Sequence, residues 1–165
     1  AALEGDFLLR AKRVDEAIQR LEDARAQNEN FWLIRKNLAE AYSAAGRDEE
    51  ALEEARVARR VSGGHTAAIA LEIASLARLG RVAEAEAQLS ELLQRSAERY
   101  VSPYYLAVAC NGTSDSDAAL TWLERAYQAR DPTLAFLGVG GWENRRGRPE
   151  YVDLMQRMDL ADLLQ

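Results

Sequence analysis

Cysteine, histidine and proline are all scarce in this chain of 165 residues. The single cysteine, Cys110, excludes an internal disulfide and a cysteine-rich metal site. The single histidine, His65, leaves no set of imidazoles for a zinc centre and argues against a Ser-His-Asp triad. Three prolines and ten glycines are too few for a turn-rich all-β protein or a disordered chain. No apolar run approaches the roughly 18–20 residues of a membrane span, and no secretory leader pattern is visible. Charge of one sign is never massed. The 27 acidic and 21 basic residues are interspersed and leave a net charge of −6, which offers no general attraction to nucleic-acid phosphates. The first residue is Ala1, not Met, so the chain is expected to be cut from a longer one. Aromatics make up only 7%.

What is abundant is alanine, with thirty copies, and a core so rich in it must bring backbones close together, as helices packed on helices do. The alanines are periodic. Ala17, Ala51, Ala85 and Ala119 stand 34 residues apart. Five further columns keep the same step: Leu21, Ala55, Leu89, Leu123; Ala24, Ala58, Leu92, Ala126; Lys12, Gly46, Gly80, Ser114; Leu8, Tyr42, Leu76, Cys110; and Gly5, Ala39, Ile73, Ala107. Arg13, Arg47 and Arg81 also recur. The spacing from Ala51 to Ala55 to Ala58 traces one helix face. Gly46 and Gly80 fall between helical patterns, where a helix end calls for a left-handed residue, and Asp48 is placed to cap the helix that follows. Each unit therefore reads as helix, tight turn, helix. Helices are predicted near 2–11, 14–28, 33–45, 48–60, 66–79, 82–97, 101–111 and 115–129.

This pattern resembles the tetratricopeptide repeat family. Ala39, Tyr42, Ala51 and Ala58 within the unit from Phe31 to Gly64 carry the resemblance most fully. The first unit is truncated at its front, and the fourth departs from the family at Cys110 and Ser114. The resemblance implies a right-handed, all-α solenoid of about four helix pairs over residues 1–132, in units of about 1–31, 32–65, 66–99 and 100–132. Residues 133–165 are then an irregular segment and a capping helix.

After Asp131-Pro132 the period stops. Pro149 is well placed to start a last helix, and Tyr151, Leu154, Met155 and Met158 fall on one face of it, which is expected to cover the last repeat helix. Residues 98–158, from Tyr100 through Trp122 and Asp131-Pro132 to the Arg148–Met158 ending, are also similar to the C-terminal ends of bacterial signalling proteins. In those, the repeats follow a winged-helix, kinase or nucleotide cyclase domain. Nineteen of the 21 basic residues are arginine, a bias usual in GC-rich bacteria. The stretch Gly140–Gly147 departs from that group.

No catalytic constellation emerges, and no enzyme activity, cofactor or metal is expected. His65 reads as a solvated turn residue, and Cys110 as a small apolar residue in a core column. Gly63-Gly64 and the glycines at 138, 140 and 141 lack the strand and lysine of a phosphate loop. Glu49, Glu50, Glu53 and Glu54 read as solvated charge. Trp122 reads as packing between repeats; Trp142 either anchors the tail or meets a partner.

In the repeat family the first helix of each unit lines a concave groove. The resemblance places Lys36, Glu40, Ala70, Ala74, Ala77, Arg78, Tyr104, Val108 and Asn111 there, with Asp6, Leu9 and Arg10 from the truncated unit. Small side chains leave room for a helix or an extended segment; the same alanines equally suit packing against neighbouring helices. The clamp for chaperone carboxylates known in the family is matched only by Lys36, and Glu40 would repel such a ligand. The expected function is a cytoplasmic protein–protein interaction module, the regulatory or sensing end of a bacterial signalling or transcription-control protein. The alternative is a free-standing adaptor that scaffolds a complex. The expected partner is a protein or peptide in the groove, with self-association through the truncated unit competing for it, and with neither nucleic acid nor membrane engaged.

Overall fold

The computed structural model describes residues 2–113, 116–139 and 141–164. Ser114 and Gly140, to which a turn and part of a glycine run were assigned above, lie outside the described residues. The described residues are all-α. The helices are α1 (Ala2–Arg10), α2 (Val14–Gln27), α3 (Trp32–Ala44), α4 (Asp48–Val61), α5 (Thr66–Arg78), α6 (Val82–Glu98), α7 (Pro103–Cys110), α8 (Ser116–Gln128) and α9 (Pro149–Arg157). Their ends fall within about two residues of those expected from sequence. Short 3₁₀ segments cover Pro132–Val139, Glu143–Arg145 and Ala161–Leu164.

Consecutive helices pair antiparallel, and each second helix packs on the first helix of the next pair: α2 on α3, α4 on α5, α6 on α7. The first helices also touch in series, α1 to α3 to α5 to α7. That is a solenoid with the first helices on its concave side. One core runs from Leu52 through α5–α8 to Met155, and a second joins α1, α2, α3 and Ala51.

The turns explain the period. The Gly46 N–H donates to the Ser43 carbonyl at 3.1 Å, and Arg47 N–H to Tyr42 O at 2.8 Å. Gly80 and Arg81 repeat the same two bonds on Ala77 and Leu76, and Lys12 and Arg13 on Leu9 and Leu8. This double closure needs a left-handed residue, and φ is +72° at Gly46, +75° at Gly80 and +58° at Lys12. Lysine holds that conformation at a steric cost that glycine avoids. The next helix then starts on Arg13, Arg47 or Arg81, whose guanidinium pairs with the carboxylate three residues on, Glu16, Glu50 or Glu84. Here the structure corrects the sequence reading. Asp48 caps nothing: Arg47 holds the cap position, and Asp48, already inside α4, accepts a hydrogen bond from Arg78 of α5.

The small columns are where the helices touch. Ala17, Ala51, Ala85 and Ala119 have no exposed surface. At Gly5 a Cβ would come within 2.5 Å of the Leu21 side chain, so α1 lies closer to α2 than any side chain permits without a shift. Cys110 is buried in the core, as expected. At the far end Tyr151, Leu154 and Met155 of α9 are buried against α8 and the main core, with Met158 packed beside them.

Two stability outcomes follow, both read from urea midpoints. Ala85→Leu should overpack the α5–α6 contact and cost roughly 1–3 kcal/mol. Lys12→Gly should stabilise by about 0.5–1 kcal/mol, because relief of the left-handed strain exceeds the extra backbone entropy that glycine loses on folding; an unchanged midpoint would refute the α5–α6 contact in the first variant and the strain in the second.

Candidate functional site

The concave side holds a cleft of about 500 Å³. Three first helices build it: α3 through Glu40, Ser43 and Ala44, α5 through Leu71, Ala74 and Arg78, and α7 through Tyr104, Tyr105 and Val108. Asn111 and Gly112 close one side. The remaining wall is the chain's own tail, Gly141 to Asn144.

The tail is held there by specific contacts. Trp142 is 3% exposed; its ring lies 6.5 Å from that of Tyr104 and stacks on Tyr151 at 6.3 Å. Asn111 Nδ2 donates to the Gly141 carbonyl at 2.6 Å, and buried Arg145 donates through Nε to Asn111 Oδ1 at 2.9 Å. Upstream, the Asp131 carboxylate accepts from the Ser102 hydroxyl at 2.5 Å and from the Thr133 N–H and hydroxyl at 2.9 and 2.6 Å. The 3₁₀ segment Pro132–Val139 then crosses the concave side to α1, where Arg10 Nη1 donates to the Ala135 carbonyl at 3.5 Å.

Charge inside the cleft is concentrated on Glu40. Lys36, buried beneath it, donates to its carboxylate at 2.8 Å. Burial pushes the Glu40 carboxyl above the ordinary carboxylate range, Lys36 opposes that shift, and Asp6 adds to it. Asp6 accepts from Arg10 through Oδ2 at 3.2 Å, while its buried Oδ1 accepts no hydrogen bond among the described residues. The Tyr104 and Tyr105 phenols are pushed up by burial first and by Glu40 next. Arg78, at the rim, is shared with Asp48 and Ser75.

Against this geometry the comparisons with known proteins can be set. Residues 8–71 match the Tetratricopeptide repeat family. No curated protein and no solved structure matches the chain. The matched tetratricopeptide segment spans the first two helix pairs from Leu8 onward and enters α5, so it supplies the α3 wall of the cleft and Leu71. These repeats are protein-interaction modules. Among the described residues no helix is long and apolar enough to cross a membrane.

Of the nine residues assigned to the groove from sequence, Glu40, Ala74, Arg78, Tyr104, Val108 and Asn111 line the cleft together. Three do not. Lys36 lies under Glu40 rather than on the surface. Ala70 is fully buried between helices, and Ala77 packs where a Cβ on Gly112 would come within 2.8 Å of its own. At Ala70 and Ala77 the small side chain serves helix packing. Sequence reasoning missed the tail wall, because Gly141–Asn144 follows no period. It also misread Glu54. Glu54 is not solvated: it is buried and receives Arg25 and Arg35 from the two preceding helices. His65 is exposed, yet it caps α5 by accepting from Ala67 N–H at 3.2 Å and stacks on Trp32 at 4.3 Å. Burial, then Lys36 and Arg95, hold its pKa below the ordinary value.

Asp131 supplies a pH-dependent prediction. Burial alone would raise its pKa, but the donors from Ser102, Thr133 and Tyr104 outweigh it and hold the carboxyl below its ordinary 3.8. A depressed folded pKa stabilises above the unfolded value, and that stability is lost as pH falls through the folded one. Asp131→Asn should cost roughly 1–3 kcal/mol at pH 7 through lost hydrogen bonds. The gap between wild type and variant should narrow below pH 3.8 in parallel urea titrations; a constant gap would contradict the assignment.

Proposed function

We propose that this chain is the interaction region of a cytoplasmic bacterial signalling or transcription-regulatory protein, and that a protein or peptide partner docks in the concave cleft. The observation that carries this reading is the cleft itself. Its volume lies in the range of ligand-binding clefts, and apolar Leu71, Ala74 and Val108 sit beside three aromatic rings and flanking charge. The similarity of residues 98–158 to the ends of signalling proteins supports the regulatory context. The net charge of −6 speaks against nucleic acid as the direct partner.

Affinity capture with the 165-residue chain, followed by mass spectrometry, tests the cleft. Ala74→Arg places a bulky cation in it and should abolish capture of the partner; because Ala74 is 6% exposed, the loss counts only with a thermal midpoint close to wild type. Glu86→Ala, on the exposed outer face of α6, should leave capture intact. Undiminished capture by Ala74→Arg would move docking elsewhere.

A second reading, self-association through α1, has its own observation. Leu3 and Phe7 are 71% and 68% exposed one turn apart on that helix. Sedimentation equilibrium decides it: Phe7→Glu should abolish any dimer seen with wild type, and a wild-type chain that stays monomeric at high concentration removes this reading.

A further inference from the structure

The cleft carries a more specific statement about its occupant, which rests on the docking site proposed above. We infer that the cleft receives a basic side chain, an arginine or lysine presented by an extended peptide segment, between the aromatic faces of Tyr104, Tyr105 and Trp142 and the carboxylate of Glu40.

Three independent features support a cation. The first is aromatic geometry. Tyr104 stands at the centre of the set, with Tyr105 at 5.5 Å and 62° and Trp142 at 6.5 Å and 45°. The three rings pack on one another and are 3–8% exposed, so they form one aromatic wall, the kind of surface that attracts organic cations. All three line the cleft.

The second is the balance of charge. Glu40 and Glu143 line the cleft against Arg78 alone, and Arg78 is already engaged by Asp48. An anionic occupant would meet Glu40 at the floor and, among the described lining residues, no cation other than Arg78. The third is the state of the buried acids. One lysine, Lys36, serves Glu40, while Asp6 approaches from α1 with a buried oxygen that accepts no hydrogen bond among the described residues. Glu54 and Glu72 each take two arginines, whereas Glu40 holds Lys36, so a second positive group reaching the floor would complete the same arrangement in surroundings dry enough for the attraction to count.

The side chain would enter past Val108 and Gly112, and the backbone flanking it would lie along Asn144, whose amide can both donate and accept.

Three blocked tripeptides serve as probes against the ¹⁵N-labelled 165-residue chain: acetyl-Ala-Arg-Ala-amide, the same peptide with citrulline in place of arginine, and the same with glutamate. Citrulline keeps the shape and removes the charge, so the comparison does not depend on any variant folding. The arginine peptide should shift the Trp142 indole signal and the Gly112 and Gly141 amides. The citrulline peptide should bind at least about tenfold more weakly, and the glutamate peptide should shift nothing there. Glu40→Gln should weaken the arginine peptide by about the same factor while the Trp142 indole keeps its native shift. Equal binding of the citrulline or glutamate peptide, or no shift at those signals with any of the three, would overturn the inference. In that event, loss of the captured partner with Ala74→Arg would still uphold the cleft as a docking site, so the two readings fail separately.

Discussion

How closely two paired helices can approach governs the architecture of this chain. With alanine or glycine at the contact, the backbones come together until their neighbours' side chains fill the space. Ala17, Ala51, Ala85 and Ala119 meet this requirement with no exposed surface, and Gly5 goes further by admitting the Leu21 side chain where a Cβ would stand. The spacing between such contacts is set by the left-handed turn at Lys12, Gly46 and Gly80, which reverses the chain in the fewest residues and delivers the next helix at the same angle. Each pair buries one face internally and the other against the next pair, so the stability of the solenoid is shared between neighbours.

Charge does a different task between the pairs. The Arg13–Glu16, Arg47–Glu50 and Arg81–Glu84 pairs are exposed, screened by water, and add little to stability. Glu54 and Glu72 are buried. Glu54 takes Arg25 and Arg35, and Glu72 takes Arg56, Arg59 and the amide of Gln88. Arg25 and Arg59 occupy one place in the period, Glu54 and Gln88 another, so the same inter-pair contact is made twice with different chemistry. In the next unit those places are Leu93 and Trp122, both packed on the main core. A buried carboxylate deprived of its arginines is destabilising by roughly 3–5 kcal/mol, so a slipped register is penalised wherever it would strand Glu54 or Glu72.

The tail turns this scaffold into a bounded site. An open solenoid offers a long groove; here Pro132–Val139 crosses it to α1, and Trp142 seals one side through Tyr104 and Tyr151. What is left is a cleft suited to a side chain and a short stretch of backbone rather than a whole helix. The aromatic wall comes from both α7 and the tail, so the capping segment borders the proposed docking cleft as well as covering the core. A partner that needs Trp142 in place will sense whether the tail is docked, and tail docking depends on Asp131, Asn111 and Arg145.

The sequence by itself determined the helices, their pairing, the turn positions and the burial of Cys110, because each arises from a residue's neighbours along the chain or from a contact repeated every 34 residues. It also placed Glu40, Ala74, Arg78, Tyr104, Val108 and Asn111 on one side of the solenoid, since that side follows from the same period. The tertiary structure alone decided which of them share a cleft. It put Lys36 beneath Glu40, turned Ala70 and Ala77 into packing residues, made Glu54 a buried partner of two arginines, and left Asp48 to pair with Arg78 instead of capping α4. Above all it brought the tail across to α1, with Arg10 and Ala135 in contact 125 residues apart. The reason is physical. A periodic contact is written into the chain many times and can be read from its spacing, whereas a single long-range contact depends on where the curvature of the whole solenoid carries each end.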